Sequence, residues 1–173
     1  MINSGKSIMI EVVVVRHGIA KERDEWEGDD FERPLTSKGF SRMERAALGL
    51  HRIVGDVSMI LSSPYERAKQ TAEILAETFD APLELREELG CGRYEECRGL
   101  LPTTGRTLFV GHEPDLRLFA TEMCGVSADG LEPLKKGGAL SIKKGPSDLW
   151  AISWIFQPRH LRSIGNTFVK AAA

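Results

Sequence analysis

The sequence predicts a single α/β domain built on a mostly parallel sheet, and three features support this prediction. Short apolar runs alternate with segments of helical periodicity; the runs lie at residues 10–15, 59–61 and 108–110. The first run, IEVVVV, is almost entirely β-branched, which is typical of a strand buried on both faces of a sheet. Two later runs, at residues 139–142 and 149–156, predict closing strands.

Apolar residues at spacings of three and four predict a helix after each of the first three strands. The first helix is expected to be capped by Thr36 or Ser37. The second is expected to open at Ser62 and Ser63, with Pro64 in its first turn. The third opens at Asp115. Residues 1–173 are expected to form one domain, with a core between about residues 8 and 157.

Composition excludes several classes of function. The chain has 23 Lys and Arg against 25 Asp and Glu, a net charge of −2, so no general attraction to nucleic acid is expected. No apolar run approaches the roughly 20 residues that cross a bilayer. Residues 1–9 lack the apolar segment of a secretory signal. Cys91, Cys97 and Cys124 form no C-x-x-C pair, which disfavours a disulfide framework. We therefore expect a cytoplasmic protein with neither a nucleic-acid nor a membrane partner.

Side chains that can take part in catalysis follow the predicted strands. Arg16, His17 and Gly18 come directly after the first strand, Arg67 lies in the helix after the second, and His112 follows the third. Ligands of parallel sheets bind outside the carboxyl ends of the strands. Two histidines and two arginines are therefore expected to converge at one sheet edge.

This combination favours phosphoryl transfer. Guanidinium groups match the paired oxygens of a phosphate and stay charged at neutral pH. Neighbouring cations lower the pKa of a histidine, and a neutral imidazole can attack phosphorus to form a phosphohistidine. The scheme requires no metal and no other cofactor, and the sequence contains no metal-binding motif such as H-E-x-x-H.

Four segments in order resemble the histidine phosphatase superfamily, which has the phosphoglycerate mutase-like fold: VVVVRHGIA, RPLTSKG, SSPYERAKQTAEIL and LFVGHEPDL. The resemblance implies a three-layer sandwich with helices on both faces of the sheet. It also implies that His17 is the nucleophile, that Arg16 and Arg67 bind the phosphate, and that His112 contacts the phosphate and stabilises its charge. Gly18 of the first segment and Arg33 of the second are expected in the substrate site.

The short chain and the Ile19-Ala20 pair after the Arg-His-Gly motif look most like the SixA-type phosphohistidine phosphatases. That resemblance implies a protein substrate of the histidine phosphotransfer type. A phosphatase of a small phosphorylated metabolite and a non-catalytic phosphate-binding module are the alternatives. The oligomeric state is left open.

The proton donor to the leaving group is the least determined residue. Glu88 matches the position of the superfamily's acid, although Glu87 would replace it in a shifted strand register. Asp30 is the rival, from the acidic stretch at residues 21–32, which is either a solvated loop or a lid. Both Glu88 and Asp30 are candidates, with Glu88 preferred and Asp30 also expected to contact substrate.

Overall fold

The sheet has six strands and is mostly parallel, as predicted. The computed structural model describes residues 9–171, with side chains described through residue 167. The strand order is β3-β2-β4-β1-β5-β6. The four strands β3, β2, β4 and β1 pair in parallel, whereas β5 is antiparallel to both of its neighbours. The strands are β1 Ile10–Arg16, β2 Met59–Ser62, β3 Leu83–Leu85, β4 Gly105–Gly111, β5 Ala139–Lys144 and β6 Trp150–Phe156.

Helices cover both faces of the sheet. They are α1 Ser37–Val54, α2 Glu66–Phe79, α3 Asp115–Met123 and α4 Pro158–Ala171. Successive side chains of a strand point to opposite faces. Accordingly, Val13 and Val15 of β1 belong to the core cluster that includes residues of α1, α2 and α4, whereas Val12 and Val14 pack in the cluster with α3. The predicted three-layer α/β sandwich is confirmed.

The predicted start of α2 is wrong. The helix begins at Glu66 rather than at Pro64, and Tyr65 at its N-cap makes no side-chain capping bond. The hydroxyl of Ser63, expected as a cap, instead bonds the ring of His112. The cap of α1 is confirmed, since the Thr36 Oγ1 accepts the backbone N–H of Gly39 at 2.9 Å.

Among the strands and α-helices, β3 and α4 were not predicted. Helix α4 packs so closely on α1 that a side chain at Gly49 would overlap the backbone carbonyl of Leu161. Leu161 is fully buried, so the core continues past residue 157. Among the described helices, none combines the length and apolar character needed to span a membrane. The signal-sequence expectation concerns residues 1–8 almost entirely, and these lie outside the described part.

Candidate active site

The strand ends meet around a cavity of about 390 Å³. The predicted residues Arg16, His17, Arg67 and His112 all line it. So do Asp30 and Arg33, together with residues that sequence reasoning did not place there: Glu22, Arg23, Tyr65, Cys91, Glu113 and Lys136. The topology thus brings the two histidines and two arginines together as expected.

His17 is held in one tautomer immediately after β1. Its backbone N–H donates to the carbonyl of Gly111 at 3.0 Å, which fixes the turn out of the strand. Its ring Nδ1 lies 2.7 Å from the carbonyl oxygen of Gly18. Because a carbonyl oxygen only accepts hydrogen bonds, Nδ1 carries the proton and Nε2 keeps its lone pair. The ring is therefore oriented as a nucleophile through Nε2.

The environment also keeps His17 uncharged. Burial of the ring is the main reason that its pKa lies well below 6.5, and the nearby His112, Arg67 and Arg16 lower it further. The sequence predicted the direction from the neighbouring cations, but burial has the larger effect. At neutral pH the imidazole has the protonation state that attack on phosphorus requires.

His112 faces His17 across the cavity, with 5.2 Å between ring centroids. Its Nε2 lies 2.8 Å from the Ser63 hydroxyl, which also accepts the Tyr65 backbone N–H at 3.3 Å. Because the Ser63 hydroxyl oxygen already accepts the Tyr65 N–H, we infer that its proton is donated to His112 Nε2. Donation to Nε2 leaves the proton of the imidazole on Nδ1. Burial and the charge of Arg67 lower the pKa of His112 to about 3, so the ring is a neutral donor.

Arg67 lies in the first turn of α2, and its side chain is 4% exposed. Its Nη1 and Nη2 donate to the Asp30 carbonyl at 2.7 Å and the Asp30 carboxylate at 3.1 Å. It also lies over the ring of Tyr65, 4.8 Å from the centroid. Asp30 therefore orients the cation and occupies two of its donors.

Three buried nitrogen atoms on residues that line the cavity have no hydrogen-bond partner among the described residues. They are Nε of Arg16, Nε of Arg67 and Nδ1 of His112. Leaving a buried donor unpaired costs about 1–3 kcal/mol, so three in one cavity indicate a site built for an acceptor. A tetrahedral oxyanion presents several acceptor oxygens at once and matches both the guanidiniums and the imidazole.

Of the other two predicted substrate-site residues, Arg33 lines the cavity, whereas Gly18 is not among the residues that line it. The Gly18 N–H donates to the Thr71 hydroxyl of α2 at 2.9 Å, which ties the His17 turn to that helix. The Arg33 Nε donates to the Asp30 carboxylate at 2.8 Å. Arg33 thus reaches the cavity alongside Asp30. Through Glu22, Arg23 and Asp30 the acidic stretch forms part of the cavity wall, and its role as a lid stays a prediction.

The structure does not bring Glu88 to the cavity. Glu88 lies on a 3₁₀ helix, Glu87–Leu89, rather than on a strand, and is not among the lining residues. Its backbone carbonyl accepts the Cys97 thiol at 3.2 Å. Of the two predicted carboxylates, Asp30 is the one at the site.

Asp30 is nevertheless poorly suited to donate a proton. Partial burial alone would raise the pKa of its carboxyl, but the hydrogen bond from Arg33 and the charges of Arg67 and Arg33 outweigh burial and lower it. Asp30 therefore stays ionised at neutral pH, as expected for an ion-paired carboxylate.

Glu113, which sequence reasoning did not single out, has the opposite character. Burial raises the pKa of its carboxyl, and the Leu134 N–H and the charges of Arg16 and Arg117 offset only part of this effect. Its Oε2 has no hydrogen-bond partner among the described residues, and the Arg117 Nε lies 3.6 Å away. The available signal was its position next to His112 at the end of β4.

No group of three or more His, Cys, Asp or Glu side chains within the described part is arranged to hold a metal ion. Cys91, Cys97 and Cys124 are free thiols, and Cys91 lines the cavity. Burial is the main cause that raises the pKa of Cys91, so its thiol is protonated at neutral pH. The groups available for chemistry in the cavity are thus imidazoles, guanidiniums and carboxyls.

The family model of the histidine phosphatase superfamily (branch 1) matches residues 12–109, which carry His17 and Arg67. The chain belongs to the histidine phosphatase superfamily. This membership confirms the resemblance to the superfamily and identifies the chain as a phosphatase. His112 falls just beyond the matched range.

Known relatives of this histidine phosphatase include two curated proteins. An uncharacterized protein of Picosynechococcus sp. is 33% identical over 149 residues, which cover 82% of this chain and 90% of the relative. An 8-oxo-(d)GTP phosphatase of Mycolicibacterium smegmatis is 32% identical over 100 residues, covering 55% of this chain and 30% of the relative.

Among solved structures, the protein histidine phosphatase SixA complexed with tungstate is 24% identical with a TM-score of 0.77. The alignment covers 88% of this chain and 99% of that one. This similarity confirms the phosphoglycerate mutase-like fold that the sequence predicted.

Proposed function

We propose that this histidine phosphatase removes phosphate from phosphohistidine in proteins through a covalent phosphohistidine at His17. The observation that carries the proposal is the pairing of a free Nε2 lone pair on His17 with three unpaired buried donors around one cavity. The first supplies a nucleophile, and the second supplies hydrogen bonds to the phosphoryl oxygens.

In the first step, Nε2 of His17 attacks phosphorus, a P–N bond to His17 forms, and the P–N bond to the substrate histidine breaks. The unpaired Nε atoms of Arg16 and Arg67 and the Nδ1–H of His112 donate to the phosphoryl oxygens. Because an imidazole replaces an imidazole, the transfer changes little in bond energy. Positioning and charge neutralisation then supply most of the catalysis.

Glu113 is the proposed proton donor in place of Glu88 and Asp30. Glu113 lines the cavity and burial raises the pKa of its carboxyl; in its protonated form it donates a proton to the leaving nitrogen as the first P–N bond breaks. In the second step, water attacks phosphorus, the P–N bond to His17 breaks, and inorganic phosphate leaves. The Glu113 carboxylate accepts the proton that water loses, so both steps balance.

Protein phosphohistidine is supported as the substrate by the motif resemblance to SixA-type enzymes and by the match to the SixA fold. A small phosphorylated metabolite is the second candidate, because one curated relative is an 8-oxo-(d)GTP phosphatase. The proposal retains one domain over the whole chain and a mechanism without a metal. The free thiols fit the cytoplasmic location expected from the sequence.

Trapping the intermediate tests this proposal. The protein is mixed with a ³²P-labelled phosphohistidine peptide and quenched in alkali, where phosphohistidine survives and serine esters do not. We expect alkali-stable, acid-labile label on the wild type, none on His17→Ala, and normal label on the control His160→Ala. Absence of label on the wild type would favour a non-catalytic binding module. A kcat/KM far higher for a nucleotide or sugar phosphate than for the peptide would reassign the substrate.

A further inference from the structure

A second concavity adjoins the catalytic cavity. It has a volume of about 550 Å³, and Arg16 and Lys136 line both. We call it the basic groove and define it by the five cations that line it beyond Arg16: Arg42, Lys135, Lys136, Arg159 and Arg162. They come from α1, from the segment before β5 and from α4, so only the fold brings them together.

The charges of the basic groove are largely uncompensated. Glu132 is the one acidic residue that lines it, in a chain whose net charge is −2. Among the described residues, Lys136 is the only one of the five cations with a carboxylate partner, Glu22 at 3.4 Å. The groove is therefore positively charged, although the net charge of the whole chain is negative.

This crowding of charge opposes the stability of the fold. Burial lowers the pKa of Arg162, and the neighbouring cations Arg42 and Arg45 lower it further. Helix α4 has no acidic residue in its first turn and carries Arg159 there, next to the positive end of the helix dipole. Like charges held together in this way are expected where an anionic ligand compensates them.

The kind of anion follows from a comparison of the two concavities. The catalytic cavity contains buried donors without partners, which suit a small phosphoryl group. Apart from Arg16, the groove residues contribute no buried unpaired donor, and Lys135 and Arg159 are exposed. Exposed, adjustable cations suit the charged surface of another macromolecule rather than an enclosed phosphate.

We propose that the basic groove binds a carboxylate-rich segment of the phosphoprotein substrate while the phosphohistidine occupies the catalytic cavity. This inference rests on the proposed function. Arg42, Arg159 and Arg162 can each pair with a carboxylate through two N–H groups. Binding there accelerates encounter with acidic partners and selects among phosphohistidine proteins by the charge beside the modified histidine.

Paired substrates test the groove. Two peptides of equal length each carry one phosphohistidine, flanked by four glutamates in one and by four glutamines in the other. We expect the wild type to prefer the acidic peptide in kcat/KM by about tenfold at low salt. The preference should vanish near 1 M salt, where the Debye length is about 3 Å.

Charge reversal assigns the preference to the groove. The double variant Lys135→Glu with Arg159→Glu should lose the preference and keep the wild-type kcat/KM for the glutamine peptide. The control, Arg98→Glu with Lys144→Glu, reverses two surface charges outside the groove and should keep it. Equal rates on both peptides, or a preference that survives in the groove variant, would overturn the inference.

A binding measurement separates this inference from the proposed function. Hexaglutamate is titrated by calorimetry into wild type and groove variant, each saturated with tungstate. We expect binding that the variant weakens at least about tenfold, even if neither peptide is hydrolysed. No binding, equal binding by both proteins, or tighter groove binding of tripolyphosphate than of hexaglutamate would each count against a carboxylate-binding groove.

Discussion

The Ser63 hydroxyl is predicted to set the tautomer of His112, and Ser63→Ala tests this role. The hydroxyl lies 2.8 Å from His112 Nε2, and its proton keeps the imidazole proton on Nδ1. Without it both neutral tautomers become accessible, and one of them presents a lone pair instead of a donor to the phosphoryl group. Losing one oxyanion donor costs about 10²–10³ in kcat. The rate falls in proportion to the population that keeps the proton on Nδ1, so a ten- to hundredfold loss, or ~1.4–2.8 kcal/mol, is expected with the Nε2-protonated tautomer at about 90–99% in the variant.

Stability must be separated from this effect, and Ser62 provides the matched control. Both hydroxyls are fully buried, and that of Ser62 donates to the Ser63 carbonyl at 3.0 Å, away from His112. Each alanine variant should lose about 1–3 kcal/mol. For a domain of this size the melting temperature falls by about 2–4 °C per kcal/mol. Only Ser63→Ala should lose activity beyond that expected from its folded fraction.

Two measurements decide the Ser63 prediction. The first is kcat/KM for p-nitrophenyl phosphate in wild type and both variants. The second is ¹⁵N NMR of the His112 ring, which should report protonated Nδ1 in wild type and a mixture in Ser63→Ala. An activity in Ser63→Ala within threefold of Ser62→Ala, or a wild-type ring protonated on Nε2, would refute the reasoning.

Two further predictions concern protonation. Glu113→Gln should lower kcat/KM, which reports the first step and not the hydrolysis common to all substrates, by about 10²–10⁴ for an alkyl phosphate, whose leaving group needs a proton, but by less than about threefold for p-nitrophenyl phosphate; equal losses of kcat/KM on both would contradict its role as acid. The pKa of His112 is about 3 in the folded protein and about 6.5 in the unfolded chain. The contribution of His112 to the free energy of unfolding is therefore complete above pH 6.5 and is lost as the pH falls from 6.5 toward 3. The loss should reach about 2 kcal/mol at pH 5. Urea unfolding at pH 7 and 5 should show a smaller difference in His112→Gln than in wild type, and identical differences would exclude this origin.

The part of the fold that the sequence predicts is the part governed by local pattern. The run from Ile10 is buried on both faces of the sheet, so it contains no polar alternation and reads plainly as a strand. Helix α4 escaped prediction because its burial depends on a distant partner, with Leu161 packed in the cluster that holds α1. Strand β3 is only three residues long, too short for a period to appear.

The candidate site likewise has some residues that the sequence predicts and others that it does not. His17, Arg67 and His112 could be placed together because the carboxyl ends of parallel strands share one edge. Glu113 could not be distinguished from an ordinary acid, since its character comes from burial rather than from a spacing. Glu88 lies away from the cavity because it is in a 3₁₀ turn, and no periodic pattern of apolar residues predicts such a turn.

The contact between Asp30 and Arg67 has a consequence for turnover. An anion that takes the Nη donors of Arg67 must displace Asp30 from them, so this part of its binding gains little free energy. Free phosphate, the product, faces the same competition and is readily expelled. The transition state gains more, because its charge is spread over oxygens that also reach the unpaired donors of Arg16 and His112. Competition from Asp30 therefore predicts weak inhibition by the product phosphate, and this competition does not slow the chemical step.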